Sequence, residues 1–346
     1  MNKNILSVVV FIIFAVIISW VSSFRNLESD LQNDTGRYNS YHSCVFEHSI
    51  ANCSYLIGSP PYEIGLGSSM KLSHYAGIDF KTYLFIASLF FLFCLYYFFN
   101  SFTKFPSVCV LISLIHPMAI EALTNTIRQT VAFSFLLLFI GYEVRNSSKG
   151  RRRHIYLDVG ITAFLFSFHT VVAFFYLIWV ISKFLNKHAS RVFISVFCIS
   201  LICSIVIMPS LINYLPIPDA LKFKLVYYME SDSGISVAFY QIGKVQFISF
   251  LYVIFMYWGF NKSLNHVFHI KQLFVFFLLL LSFSLFFSFT GMSYRMLLLP
   301  SLIFVGLMVY AIENKKDMVA IPIFLYVSIQ LFYFVLNFDF NFRAFY

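Results

Sequence analysis

Charge is what this 346-residue chain lacks most. Asp, Glu, Lys and Arg together make up 11% of it, where a soluble domain carries about 25%. Hydrophobic residues make up 60%, and the mean hydropathy is +0.81. Such a chain cannot wet its whole surface, which excludes a soluble enzyme or a nucleic-acid binder. The usual signatures of metal and nucleotide chemistry are missing too. There is no HExxH, no CxxC pair, no Walker loop and no DxD. Neither a metal centre nor a cofactor is expected. Cys94, Cys109, Cys198 and Cys203 fall in apolar runs, where a thiol acts as a small hydrophobe. No internal repeat divides the chain, and residues 1–346 read as a single transmembrane domain. No small-residue cleavage site follows the first apolar run, so that run reads as an uncleaved span.

What the chain does have is aromatic bulk, with 46 Phe and 22 Tyr. Its apolar residues lie in runs long enough to cross a bilayer core as helix. The fold class is therefore all-α: a polytopic integral membrane protein of about eleven spans. They are expected at 5–23, 82–99, 105–122, 127–144, 155–168, 170–182, 192–212, 245–260, 272–290, 296–312 and 318–336. Short basic loops stay in the cytoplasm. One such loop carries Arg145, Lys149, Arg151, Arg152 and Arg153, and another carries Lys183, Lys187 and Arg191. Both must lie inside, so the chain crosses and returns between them. Alternation then puts the amino terminus inside and the carboxy terminus outside. Glu143 and Asp158 flank the first basic loop and are read as partners of its arginines.

Two outside segments are too long to be connectors: 24–81 and 213–244. Long loops of this kind often bind or cover a substrate. The first carries Cys44 and Cys53, and an oxidising compartment allows them to form a disulfide. Three ionisable groups enter spans from the same outer side. Arg128 opens one span within LTNTIRQT, among Asn125, Thr126, Gln129 and Thr130. Its planar guanidinium suits phosphate oxygens, and a helix start favours anions. His169 stands alone in FLFSFHTVV at an outer apex, where an imidazole can act as base or phosphate contact. Arg295 enters a late span in GMSYRMLLLP. Each alone reads equally as an interfacial anchor or a structural residue. Together they point to a site for an anionic, lipid-linked substrate that arrives already activated.

The stretch N-T-I-R-Q-T-V-A-F (Asn125–Phe133) resembles the I-R-Q-x-[ILV]-A element of the EpsG-like Wzy polysaccharide polymerases. Likewise F-S-F-H-T (Phe166–Thr170) is similar to their F-H-[ST] element. Arg25, Asp34 and Tyr38 resemble an Arg…Asp…Tyr pattern after the first span, although the Arg25–Asp34 spacing is long and lacks a glycine. PYEIG (Pro61–Gly65) resembles an aromatic-Glu-hydrophobic-Gly segment, and Arg295 an arginine opening a late span. The resemblance implies a glycosyltransferase of the bacterial inner membrane, working on its periplasmic side. Such proteins join oligosaccharide repeat units carried on undecaprenyl diphosphate into O-antigen or capsule chains, with a chain-length regulator as partner. It implies that Arg128 and Arg295, helped by Asn125, Gln129, Arg25 and Tyr38, hold diphosphate and glycan. The base would be His169, or an acidic residue such as Asp34 or Glu63. Two rival readings are a repeat-unit flippase and a membrane O-acyltransferase. A transporter tends to show repeats and midplane polar groups, and here the polar groups gather at one face.

Overall fold

The computed structural model describes residues 3–24, 34–57, 63–124, 126–147, 155–185, 200, 251–252, 268–286, 296–314 and 327–328. Every regular element among the described residues is helical. They are α1 (Lys3–Ser23), α2 (Asp34–Glu47), α3 (Ile50–Cys53) with a 3₁₀ turn at Ser54–Ile57, α4 (Ile64–Tyr75) and α5 (Phe80–Asn100). Next come α6 (Pro106–Leu114), α7 (Pro117–Thr124), α8 (Ile127–Ser147), α9 (Ile155–Phe168) and α10 (Thr170–Leu185), and later α11 (Phe268–Phe286) and α12 (Leu298–Glu313). Three of these are long and apolar enough to cross a membrane: 80–100, 127–146 and 269–286. Shorter apolar helices occupy 7–23, 155–168, 170–185 and 298–313. The expected spans 192–212, 245–260 and 318–336 lie almost wholly outside the described residues.

The chain forms two compact units, 1–177 with 325–346, and 178–324. In the first, α5 packs along α8 and α1 along α5. Side chains around the whole circumference of α5 are apolar, as a helix needs when it faces protein on one side and lipid on the other. Asp79 caps its start, its Oδ1 accepting from the Thr82 N–H at 2.9 Å. Gly141 on α8 lets the two backbones meet. A Cβ there would sit 3.0 Å from the Phe98 Cα, which is why small residues favour close helix approach in membranes.

Residues 105–122, expected as one span, form two helices instead. Pro106 begins α6 in the position where a missing N–H is harmless. Pro117 comes eleven residues later, and its ring and lost N–H cannot continue the helix. The chain therefore breaks at Ile115–His116 and restarts as α7. A second difference concerns the polar segment 24–81. Its described part folds into α2, α3 and α4 rather than staying a loop. The Cys44 and Cys53 sulfurs are bonded, with their Cα atoms 5.9 Å apart, which ties α2 to α3. Ser49 caps α3 by accepting the Asn52 N–H at 3.2 Å. Thr35 donates to the Thr124 carbonyl at 2.8 Å, joining α2 to α7.

In the second unit α11 packs on α12, which is buried along almost its whole length. Tyr252 stacks on Phe304 with ring centroids 4.6 Å apart, and its hydroxyl meets Ser301 Oγ at 2.7 Å. Trp179 sits edge-on to Phe276 at 5.2 Å.

Candidate functional site

Three elements of the first unit converge where α4, α8 and α10 begin. Arg128 is the second residue of α8, and Glu63 immediately precedes α4. His169 separates α9 from α10: its N–H closes α9 on the Leu165 carbonyl at 2.9 Å, and its own carbonyl receives the Val172 N–H at 3.0 Å. One residue thus ends one helix and starts the next, which fixes the imidazole at the apex of the hairpin.

Glu63 sits at the centre of this arrangement. It does not cap its own helix. Instead its Oε1 accepts the Thr170 backbone N–H at 2.8 Å and the Thr170 hydroxyl at 2.7 Å, so it caps α10. The positive end of that helix adds attraction for a carboxylate. His169 Nδ1 lies 3.4 Å from the same oxygen, and Arg128 Nη1 donates to Oε2 at 2.8 Å. Only 3% of the Glu63 side chain is exposed, against 15% of Arg128 and 12% of His169. Burial by itself pushes the Glu63 carboxyl up. The hydrogen bond and charge of His169, the charge of Arg128 and the Thr170 N–H outweigh it and hold the group well below the usual carboxylate range. A carboxylate with this set of donors is a weak proton acceptor. It is well suited to orient what surrounds it.

That orientation has chemical content. With Nδ1 turned toward a carboxylate, the imidazole is held in the tautomer that carries its proton there, and Nε2 is then the nitrogen with a lone pair. A base positioned by an anion in this way also has that anion ready to pair with the imidazolium once it forms. Arg128 has one of its five N–H donors on Glu63, which fixes the plane in which the guanidinium can meet a phosphate.

The approach of α4 to this apex depends on a glycine. A Cβ on Gly65 would lie 2.7–2.9 Å from three ring atoms of Phe168, the residue before His169. Deeper in α8, Thr130 donates to the Thr126 carbonyl at 3.0 Å and also bonds the Ala122 carbonyl, tying α8 to α7.

A family model described as the EpsG family matches residues 8–346. The chain belongs to the EpsG family. No curated protein and no solved structure matches it. With its apolar helices, this EpsG-family chain is a membrane protein.

Of the residues singled out in the sequence, the structure brings Glu63, Arg128 and His169 into one cluster. Tyr38 and Gln129 are buried on α2 and α8. Among the described residues Gln129 makes no hydrogen bond to the cluster. Asp34 opens α2. Its side chain, and the whole of Arg25, Asn125 and Arg295, lie outside the described residues. Glu143 and Asp158, read as partners of basic-loop arginines, both bond Tyr176 Oη, at 2.8 and 2.7 Å. Arginines 151–153 lie outside the described residues. Sequence reasoning missed Thr170, which supplies two of the donors to Glu63. Its signal was present, since a threonine following His169 at the start of an apolar run is where a helix begins.

Proposed function

We propose that this EpsG-family protein is an O-antigen or related surface-polysaccharide polymerase of the bacterial inner membrane, with residues 24–81 and 213–244 on the periplasmic side. Its substrate is an oligosaccharide repeat unit carried on undecaprenyl diphosphate. The observation that carries the reading is the Glu63–Arg128–His169 cluster, where a cation suited to phosphate and an oriented base meet at the starts of three helices.

In the reaction, a hydroxyl of the incoming lipid-linked repeat attacks the anomeric carbon of the growing chain. His169 takes the hydroxyl proton as the new glycosidic bond forms, and its imidazolium is then paired with Glu63. The bond from the anomeric carbon to the diphosphate oxygen breaks, and the diphosphate leaves with the bonding electrons. Arg128, with Arg295, holds the charge that develops there. The imidazolium proton returns to solvent or to the departing diphosphate. Energy comes from the activated donor, so no nucleotide is consumed. Glu63 positions the other two groups and gives up no proton.

Gel banding of lipopolysaccharide from a deletion strain tests this. A polymerase defect leaves one repeat unit per core, and complementation with wild-type protein restores the ladder. His169→Gln should insert and leave the single-repeat band. A deletion strain with no repeat at all would instead indicate a flippase and sink the reading. A full ladder from His169→Gln would remove His169 as the base.

A further inference from the structure

Tyr41 lies on α2 and is 1% exposed, yet its hydroxyl makes no hydrogen bond among the described residues. Buried tyrosine hydroxyls ordinarily find a partner. The fully sealed polar atoms that lack one among the described residues are Ser19 Oγ and Gln272 Nε2. Tyr41 Oη is not one of them, so the little of Tyr41 that stays accessible includes its tip. That tip rests against Gly67, where an added Cβ would collide with it. Gly67 is the fourth residue of α4, the helix that Glu63 immediately precedes. The hydroxyl therefore lies against the first turns of α4, the helix whose start carries Glu63. Its electrostatics agree. Burial pushes the phenol up, to about 12; the charge of Arg128 pulls it back, while Tyr38 and the Glu63 carboxylate raise it further. The hydroxyl keeps its proton at any working pH and serves as a donor.

We propose that Tyr41 is a further substrate contact, donating its hydroxyl proton in a hydrogen bond to an anionic oxygen of the diphosphate held by Arg128. The inference rests on the polymerase reading for the identity of that diphosphate. The chemistry favours an anion: the donor is buried and within the field of the Arg128 charge, and an O–H···O⁻ bond is among the stronger ones. Gly67 keeps open the space through which the hydroxyl reaches it. The sequence alone gave no reason to choose Tyr41 among 22 tyrosines.

Tyr41→Phe removes one oxygen and leaves the ring in its seat, so the fold should survive. The probe is inorganic pyrophosphate, read as thermal stabilisation of purified full-length protein and as inhibition of chain extension from lipid-linked repeats. Wild-type protein should be stabilised and inhibited. Tyr41→Phe should need roughly tenfold to a hundredfold more pyrophosphate for each effect, a hydrogen bond to a charged group being worth about 1.5–3 kcal/mol. Equal stabilisation of wild type and Tyr41→Phe would overturn the contact, as would pyrophosphate that stabilises neither. Failure of the polymerase reading looks different: wild-type protein makes no chains from lipid-linked repeats, whatever pyrophosphate does.

Discussion

Glu63 and Arg128 form a buried ion pair, 2.8 Å apart, and burying two charges is costly unless other bonds support them. Thr170 and His169 supply that support. Removing Arg128 leaves the buried Glu63 charge to Thr170 and His169, and removing Glu63 leaves the half-buried Arg128 without its carboxylate; either change destabilises the fold. The pair also links stability to pH with a definite sign. The Glu63 carboxyl titrates lower in the folded protein than the free value of about 4.3. Its contribution is therefore fully present above the unfolded value and is lost as pH falls through the folded one. Melting temperatures of the wild type should drop steeply below about pH 4. Those of Glu63→Gln should start lower and change less there. Parallel curves would mean that Glu63 does not carry the effect. For Arg128→Lys the charge survives but the planar fork does not. We expect inserted protein with severely shortened chains on lipopolysaccharide gels. Normal ladders from that variant would make Arg128 an anchor and move the diphosphate site elsewhere.

Among elements, the approach of α4 to the α9–α10 apex positions the cluster, and Gly65 permits it. The Phe168 ring is hemmed in by Phe135 and Phe164, whose centroids lie 5.2 Å away in each case. It cannot swing aside to admit a methyl group. Gly65→Ala should therefore push the start of α4 outward and draw Glu63 off Thr170. Overpacking of this kind costs about 1–3 kcal/mol, and chain extension should fall with it. Phe168→Leu makes room at the same spot. The double variant Gly65→Ala with Phe168→Leu should recover melting temperature and ladder length relative to Gly65→Ala alone. Additive losses in the double variant would show that the two sites are not coupled through this contact.

For the molecule as a whole, what the sequence makes legible follows the period of its hydrophobicity. Helices α1, α5, α8, α9 and α10 match expected spans within a few residues because their boundaries coincide with changes from apolar to polar. Pro117 stands inside 105–122, yet the mostly apolar residues on both sides read as one continuous run and masked the break. The folded part of 24–81 was not legible. Helices α2 to α4 are short and mixed in polarity, and they are ordered by a disulfide and by glycines that admit Phe168 and Tyr41 at close range. Such tertiary contacts have no period. For the same reason Glu63 could be named from sequence as a base but not as the group that orients one. The orientation proposed for the chain rests on its basic loops, Arg145–Arg153 and Lys183–Arg191. The Cys44–Cys53 bond favours the same side, since such bonds persist outside the cytoplasm. If the orientation holds, Ser231→Cys in segment 213–244 should react with an impermeant maleimide in intact spheroplasts. Ser148→Cys, in the basic loop, should react only after the membrane is opened. The reverse pattern would put the Glu63–Arg128–His169 cluster on the cytoplasmic face, away from any lipid-linked glycan displayed outside, and the proposed reaction would fall with it.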